Sequence, residues 1–312
     1  MSNWLLVVYR DWLVHIVHRL KLELLKQRYL HIDETHVQVL KEPGRKNTSD
    51  SYMWVYCSIR DAVNPIRYFE YQPGRSGKYP EAFLREYEGY IHTDAYSGYN
   101  AVSGVKRCLC YTHLRRAFVD ALPKDIHNSE ASKPAEAILR LNQLFNIESE
   151  LEALPPDQKK KERLIREKPL LEAFWSWAEK SAIGELPKSK LSKAFHYALN
   201  NREGFFHYLE DGNCSISNSL AENCIRPFVI GRKNWLFSGS PKGAEASAGI
   251  YTLVETAKAN GLAPMKYIKY ILSDMPGSAF LEHPEYLDDY LPSGTSCPAS
   301  DLLTKSSFRI IS

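Results

Sequence analysis

Long unbroken apolar runs are missing from this sequence. The apolar stretch from Trp4 to Val17 is interrupted by Arg10, Asp11 and His15, and no basic lead-in precedes it. That excludes a bilayer span and a signal peptide, and leaves a packed helix in a protein expected to be soluble and cytoplasmic, with no membrane partner. Cysteine is scarce and scattered. Cys57, Cys108, Cys110, Cys214, Cys224 and Cys297 lack the spacing of a secreted disulfide framework, so reduced thiols are expected. Cys108-Leu-Cys110-Tyr-Thr-His113 has the residue types of half a zinc site, but no matching half follows it, and ordinary buried thiols are the reading. Charge of one sign is also in short supply. The net charge is only +3 and the pI about 8.4, compatible with nucleic acid only if the basic groups are clustered. There is no internal repeat.

What is present is a core. Hydrophobic residues make up 44% and aromatics 12% of 312 residues, enough for one large domain with an insertion, or for two domains. Residues 3–28 have the Leu and Val spacing of a helix and form a lead-in. Tyr29–Val39, Ser51–Ile59 and Pro65–Tyr71 then change period, rich in Val, Ile, Tyr and Trp, and are separated by Gly, Pro and Asn. They predict a three-stranded antiparallel meander. Pro80–Tyr87 reads as helix, Gly89–Thr93 and Lys106–Cys110 as strands, and Thr112 opens a basic amphipathic helix stopped by Pro123. This element order is that of a ribonuclease-H-like α/β fold: a mixed five-stranded sheet flanked by helices, its first part within 29–124. Residues 125–204 read as an inserted helical subdomain, in which the charged run Asp157–Lys168 is a solvated helix face. The core resumes over 205–262. There a polar cluster opens a short helix that Pro227 and Gly231 break, and a second helix spans Gly243–Asn260. A last helix, an acidic stretch and a polar tail fill 263–312.

Two strands deliver acids. Asp33 lies within the first and Asp94 just after the fourth, at the head of an aromatic, Gly-containing turn. Alone, either could be a turn cap. Together they suggest a shared metal site if their strands pair, and such a site calls for a third carboxylate. Glu222 and Glu255 compete for that place. Glu222 also fits a capping box with Ser219, with Arg226 one turn on for an ion pair. His31 and His92 each stand two residues ahead of an aspartate on its strand face.

The motifs His31-Ile-Asp-Glu-Thr, Thr93-Asp-Ala-Tyr-Ser-Gly-Tyr, Ala221-Glu-Asn-Cys-Ile-Arg-Pro and Gly231-Arg-Lys-Asn-Trp-Leu-Phe-Ser-Gly-Ser closely resemble the DDE transposases of bacterial insertion sequences, in the insertion sequence 66 branch. The resemblance runs in order from about residue 3 to about 290. It implies a ribonuclease-H-like catalytic core with a helical insertion before the final acid. By motif position it makes Asp33, Asp94 and Glu222 the catalytic triad and the ligands of two Mg²⁺ or Mn²⁺ ions. Two departures stand out. Complete members carry upstream DNA-binding elements that this sequence does not show, and the acidic Asp-Asn pair ahead of the glutamate here reads Ser217-Asn218. The tail after about 291 matches nothing in the family, as in a shortened copy.

Metal-dependent DNA strand cleavage and strand transfer follow from the resemblance, for the mobility of an insertion sequence. The partners are the element's DNA ends and target DNA, with the chain assembled as a homo-oligomer on paired ends. Arg115, Arg116, Arg226, Arg232 and Lys233 are candidates to grip the DNA backbone, and Trp235 to stack on a base or sugar. His113 either orients a scissile phosphate or packs. The alternatives are a ribonuclease-H-like nuclease that only hydrolyses, and an inactive DNA-binding remnant.

Overall fold

The change of period at Tyr29 is where the chain passes from helix to strand. A computed structural model describes residues 3–123, 132–292 and 302–303. In chain order the elements begin with helices α1 (Asn3–Val8) and α2 (Val14–Leu25), then strands β1 (Tyr29–Val39), β2 (Asp50–Ser58) and β3 (Arg67–Gln72). Helix α3 (Lys78–Phe83), strands β4 (Gly89–Thr93) and β5 (Val105–Leu109) and helix α4 (Tyr111–Asp120) follow. Next come α5 (Lys133–Glu150), α6 (Pro156–Glu162), α7 (Lys168–Ser181), α8 (Lys190–Asn200) and α9 (Arg202–Phe206). The described chain closes with α10 (Ser219–Trp235), strand β6 (Phe237–Ser238), α11 (Pro241–Ala259) and α12 (Pro264–Asp274). The polar tail expected beyond residue 292 lies, but for residues 302–303, outside the described residues, as does the start of the expected insertion at 125. No described helix is long and apolar enough to cross a membrane.

The chain is mixed α/β and divides into two compact units: Met1–Tyr87 with Asn100–Ser103 and Leu220–Ser312, and Glu88–Tyr99 with Gly104–Ser219. In the first unit β1, β2 and β3 form the predicted antiparallel meander, with Asp33 opposite Val55 and Val55 opposite Phe69. Strand β6, which the sequence reading missed because it is two residues long, pairs parallel to β1 through Gln38 and Phe237. One face of the meander carries Val37, Val39, Met53, Val55, Cys57 and Phe69. It is covered by Ala221, Ile225 and Phe228 of α10 and Ala244 and Ala248 of α11. On the open edge of β3, the hydroxyls of Thr252 and Thr256, one turn apart on α11, accept the N–H groups of Phe69 at 2.8 Å and Arg67 at 3.1 Å. Donors that would otherwise invite another strand are thus satisfied. Helix α2 buries Ile16, Val17, Leu20 and Leu24, as the helical spacing requires, whereas α1 buries nothing and Trp4 is 61% exposed. The packed N-terminal helix therefore begins later than its apolar residues suggest.

Helix α10 corrects a second expectation. It runs through Pro227 and Gly231 without a break. Proline forfeits only the bond to the carbonyl four residues back, and the buried stripe Ala221, Ile225 and Phe228 holds both halves on one core. Gly231 answers to packing: a Cβ there would lie 2.5 Å from the Tyr251 hydroxyl oxygen and 3.1 Å from Trp235 Nε1.

The second unit holds the parallel pair β4–β5, in register from Gly89–Val105 to Thr93–Leu109, and helices α4 to α9. Its core is aromatic. Phe118 meets Phe174 and Phe195 edge-on, and Trp175 packs on Phe205. The charged run is not all solvated. Arg163 and Glu167 are fully buried, because Arg163 forks onto Glu148 at 2.6 and 2.8 Å and donates to the carbonyls of Tyr208, Asp211 and Cys214. Tyr208 donates its hydroxyl to Glu167 at 2.5 Å. Charge counted along a sequence cannot reveal partners supplied by distant segments.

Candidate active site

In the first unit Asp33 is half-buried, and its Oδ1 accepts the Glu34 N–H at 2.9 Å. Directly opposed residues of an antiparallel pair share a face. Asp33 opposite Val55, with His31 opposite Cys57, therefore lies on the face that α10 covers. Glu222 stands in the first turn of α10, beside the buried Ala221. Two residues on, Cys224 is hydrogen-bonded to Cys57. The Cys57 thiol is pushed well up by burial, then by Cys224, with the negative charge of Asp33 adding to both. Asp33 and the opening turns of α10 thus converge on one thiol.

Farther along α10, Arg232 donates to Thr35 Oγ1 at 3.0 Å and to the His36 carbonyl, fastening the helix to β1. Arg226 and Lys233 are exposed. Trp235 is half-buried and packs edge-on against Phe228, ring centroids 5.3 Å apart.

In the second unit β4 ends at Thr93, and Asp94 opens the following turn. Asp94 Oδ1 accepts the Tyr96 N–H at 3.0 Å, closing an Asx-type turn. Arg107 of β5 reaches across and grips this turn. It donates to Thr93 Oγ1 at 2.7 Å, to the Asp94 carbonyl at 2.6 Å and to the Tyr96 carbonyl at 2.8 Å, and lies 5.2 Å from the centroid of the Tyr99 ring. Tyr197 of α8 also attends the turn: burial and then the charge of Asp94 push its hydroxyl upward. Neither Arg107 nor Tyr197 was singled out from sequence. Arg107 sits in a strand, one pleat from Cys108, and nothing local marks its reach, while Tyr197 arrives from the helical insertion.

On α4, Arg115 donates to Asn142 Oδ1 at 2.7 Å and Arg116 is exposed. Burial pushes the Cys110 thiol up, but hydrogen bonds from the His113 side chain and the Asn218 N–H outweigh it and leave the thiol below its ordinary value. The His113 ring therefore serves Cys110. Ser217, at the place of the family's acid, pairs its hydroxyl with that of Ser219 at 3.0 Å.

The family described as Transposase IS66 family matches residues 1–246. This chain belongs to the IS66 transposase family. Among curated relatives it is 27% identical over 263 residues to the uncharacterized protein y4hP of Sinorhizobium fredii, covering 78% of this chain and 47% of that one. It is 29% identical over 258 residues to y4qI of the same organism, covering 77% and 46%. The IS66 chain described here spans about half the length of the curated relatives it matches. No solved structure matches it. The ligands expected from the motifs, Asp33 and Glu222 in the first unit and Asp94 in the second, each offer carboxylate oxygen, a donor that suits hard Mg²⁺ or Mn²⁺ better than softer metals.

Proposed function

We propose that this chain is the catalytic region of a DDE-type transposase, built on a ribonuclease-H-like core, which cleaves the ends of an insertion sequence and joins them to target DNA. Asp33, Asp94 and Glu222 are its carboxylates. The observation that carries the reading is the match to the transposase family over residues 1–246, with an acid at each motif position. Further support comes from the care with which the Asp94 turn is held by Arg107.

Divalent Mg²⁺ or Mn²⁺, when bound, would neutralise charge on the attacking and leaving oxygens of a phosphodiester. The protein's part is to hold its carboxylates still. Asp33 is fixed by the pleat of a central strand, Asp94 by its Asx turn and the Arg107 fork, and Glu222 by the packing of α10. Arg226 and Lys233, both exposed on α10, would take phosphates, which supplies affinity rather than sequence choice. Arg232 contributes by fastening α10, and the half-buried Trp235 would offer its ring to a base or sugar. On α4 of the second unit, Arg115 and Arg116 are further candidates for phosphate contact.

The test is calorimetric titration of Mn²⁺ into the wild type and Asp94→Ala with a nicked DNA end present, followed by a strand-transfer assay with a second DNA. Wild-type binding that the substitution removes, together with a joined product, is the expected result. Cleavage without joining would make the chain a nuclease. DNA binding with neither metal uptake nor cleavage would make it an inactive remnant.

A further inference from the structure

Within the second unit, three buried side chains from separate stretches meet. His92 comes from β4, Cys108 from β5, and Cys214 from the turn beyond α9; each is at most 2% exposed. A ring nitrogen of His92 and the two sulfurs all lie within 4.8 Å of one another. The carboxylate chemistry proposed above has no use for them. A buried cysteine alone is an ordinary small apolar residue. Two of them converging with an imidazole form a different object, a sulfur and nitrogen donor set of the kind that holds zinc and that Mg²⁺ or Mn²⁺ does not favour.

We propose that His92, Cys108 and Cys214 form a Zn²⁺ site of three protein ligands that staples the turn at Cys214 to the β4–β5 pair. The surroundings are already arranged for it. Ser215 donates its N–H to His92 Nε2 at 2.9 Å, Tyr111 donates its N–H to the Ile216 carbonyl at 3.0 Å, and Arg163 holds the Cys214 carbonyl at 2.9 Å. These bonds bring the returning chain to the strands before any metal arrives, so ordering the ligands costs little entropy on binding. One ring nitrogen of His92 enters the coordination with the two sulfurs. Both thiols lose their protons to solvent, and a water completes the tetrahedron. Because His92 lies two residues before Asp94, the staple also fixes the strand end from which the Asp94 turn departs.

The experiment uses the full chain, stripped with a chelator and reconstituted with ZnCl₂ or CoCl₂, and it does not depend on the transposase reading. One zinc per chain that survives gel filtration is expected, with a thiolate-to-cobalt charge-transfer band in the Co²⁺ form. Cys108→Ser and Cys214→Ser should each abolish the band, and His92→Gln should weaken zinc binding about 10- to 100-fold. Cys224→Ser should leave both unchanged. Should the variants not fold, alkylation of the wild type decides, mapped by mass spectrometry: zinc should shield Cys108 and Cys214 and leave Cys224 reactive. Sub-stoichiometric zinc, zinc retained by Cys108→Ser and Cys214→Ser, alkylation unaltered by zinc, or a Cys108–Cys214 disulfide in its place would each overturn the proposal.

Discussion

The guanidinium of Arg107 donates to Thr93 Oγ1 and to the carbonyls of Asp94 and Tyr96. Three acceptors in one turn suit a planar fork and not a point charge. Arg107→Lys keeps the charge and loses the fork, so the turn relaxes and Asp94 moves off its position. A displacement of about 1 Å at a reacting centre costs on the order of 100-fold in rate. We therefore expect single-turnover cleavage by Arg107→Lys to fall about 10- to 100-fold, with DNA binding kept. Unchanged cleavage would separate the Arg107 grip from the chemistry.

Among elements, the run from α6 to α7 is tied to the segment after α9 by a buried polar network. Arg163 and Glu148 form its ion pair, and Glu167 with Tyr208 completes it. Burial first, and then the negative charge of Glu148, lift Glu167 to about 8. The folded value exceeds the unfolded one, so the stabilisation is complete below the ordinary carboxylate range and is lost as pH rises toward 8. Within that window the loss is on the order of 1.4 kcal/mol per pH unit. Glu167→Gln holds the neutral form at every pH. Urea melts should show wild-type stability falling between about pH 5 and 8, and a markedly flatter profile for Glu167→Gln. Parallel profiles would show that Glu167 ionises in the fold at its ordinary value.

For the molecule as a whole, a net charge of +3 provides little long-range field, so the proposed DNA binding would rest on where the basic groups stand. Arg226 and Lys233 are exposed on the helix that carries Glu222, whereas Arg115 and Arg232 are engaged with Asn142 and with β1. Replacing Arg226 and Lys233 by Ala should weaken binding evenly across DNA sequences and lower the slope of log affinity against log salt by about 2. A slope unchanged in a filter-binding series would place the DNA elsewhere. Local chemistry alone determined the meander, the strand ending at Thr93 and the helices of 133–206, because period and turn residues are written in neighbouring positions. The family motifs likewise lie in contiguous residues, and the family match bears out that reading. Only the tertiary structure carried α10 through Pro227, buried Arg163, aimed Arg107 at the Asp94 turn and brought Cys214 to Cys108 and His92. Each of these is settled by partners from distant parts of the chain, whose packing outweighs the local preference.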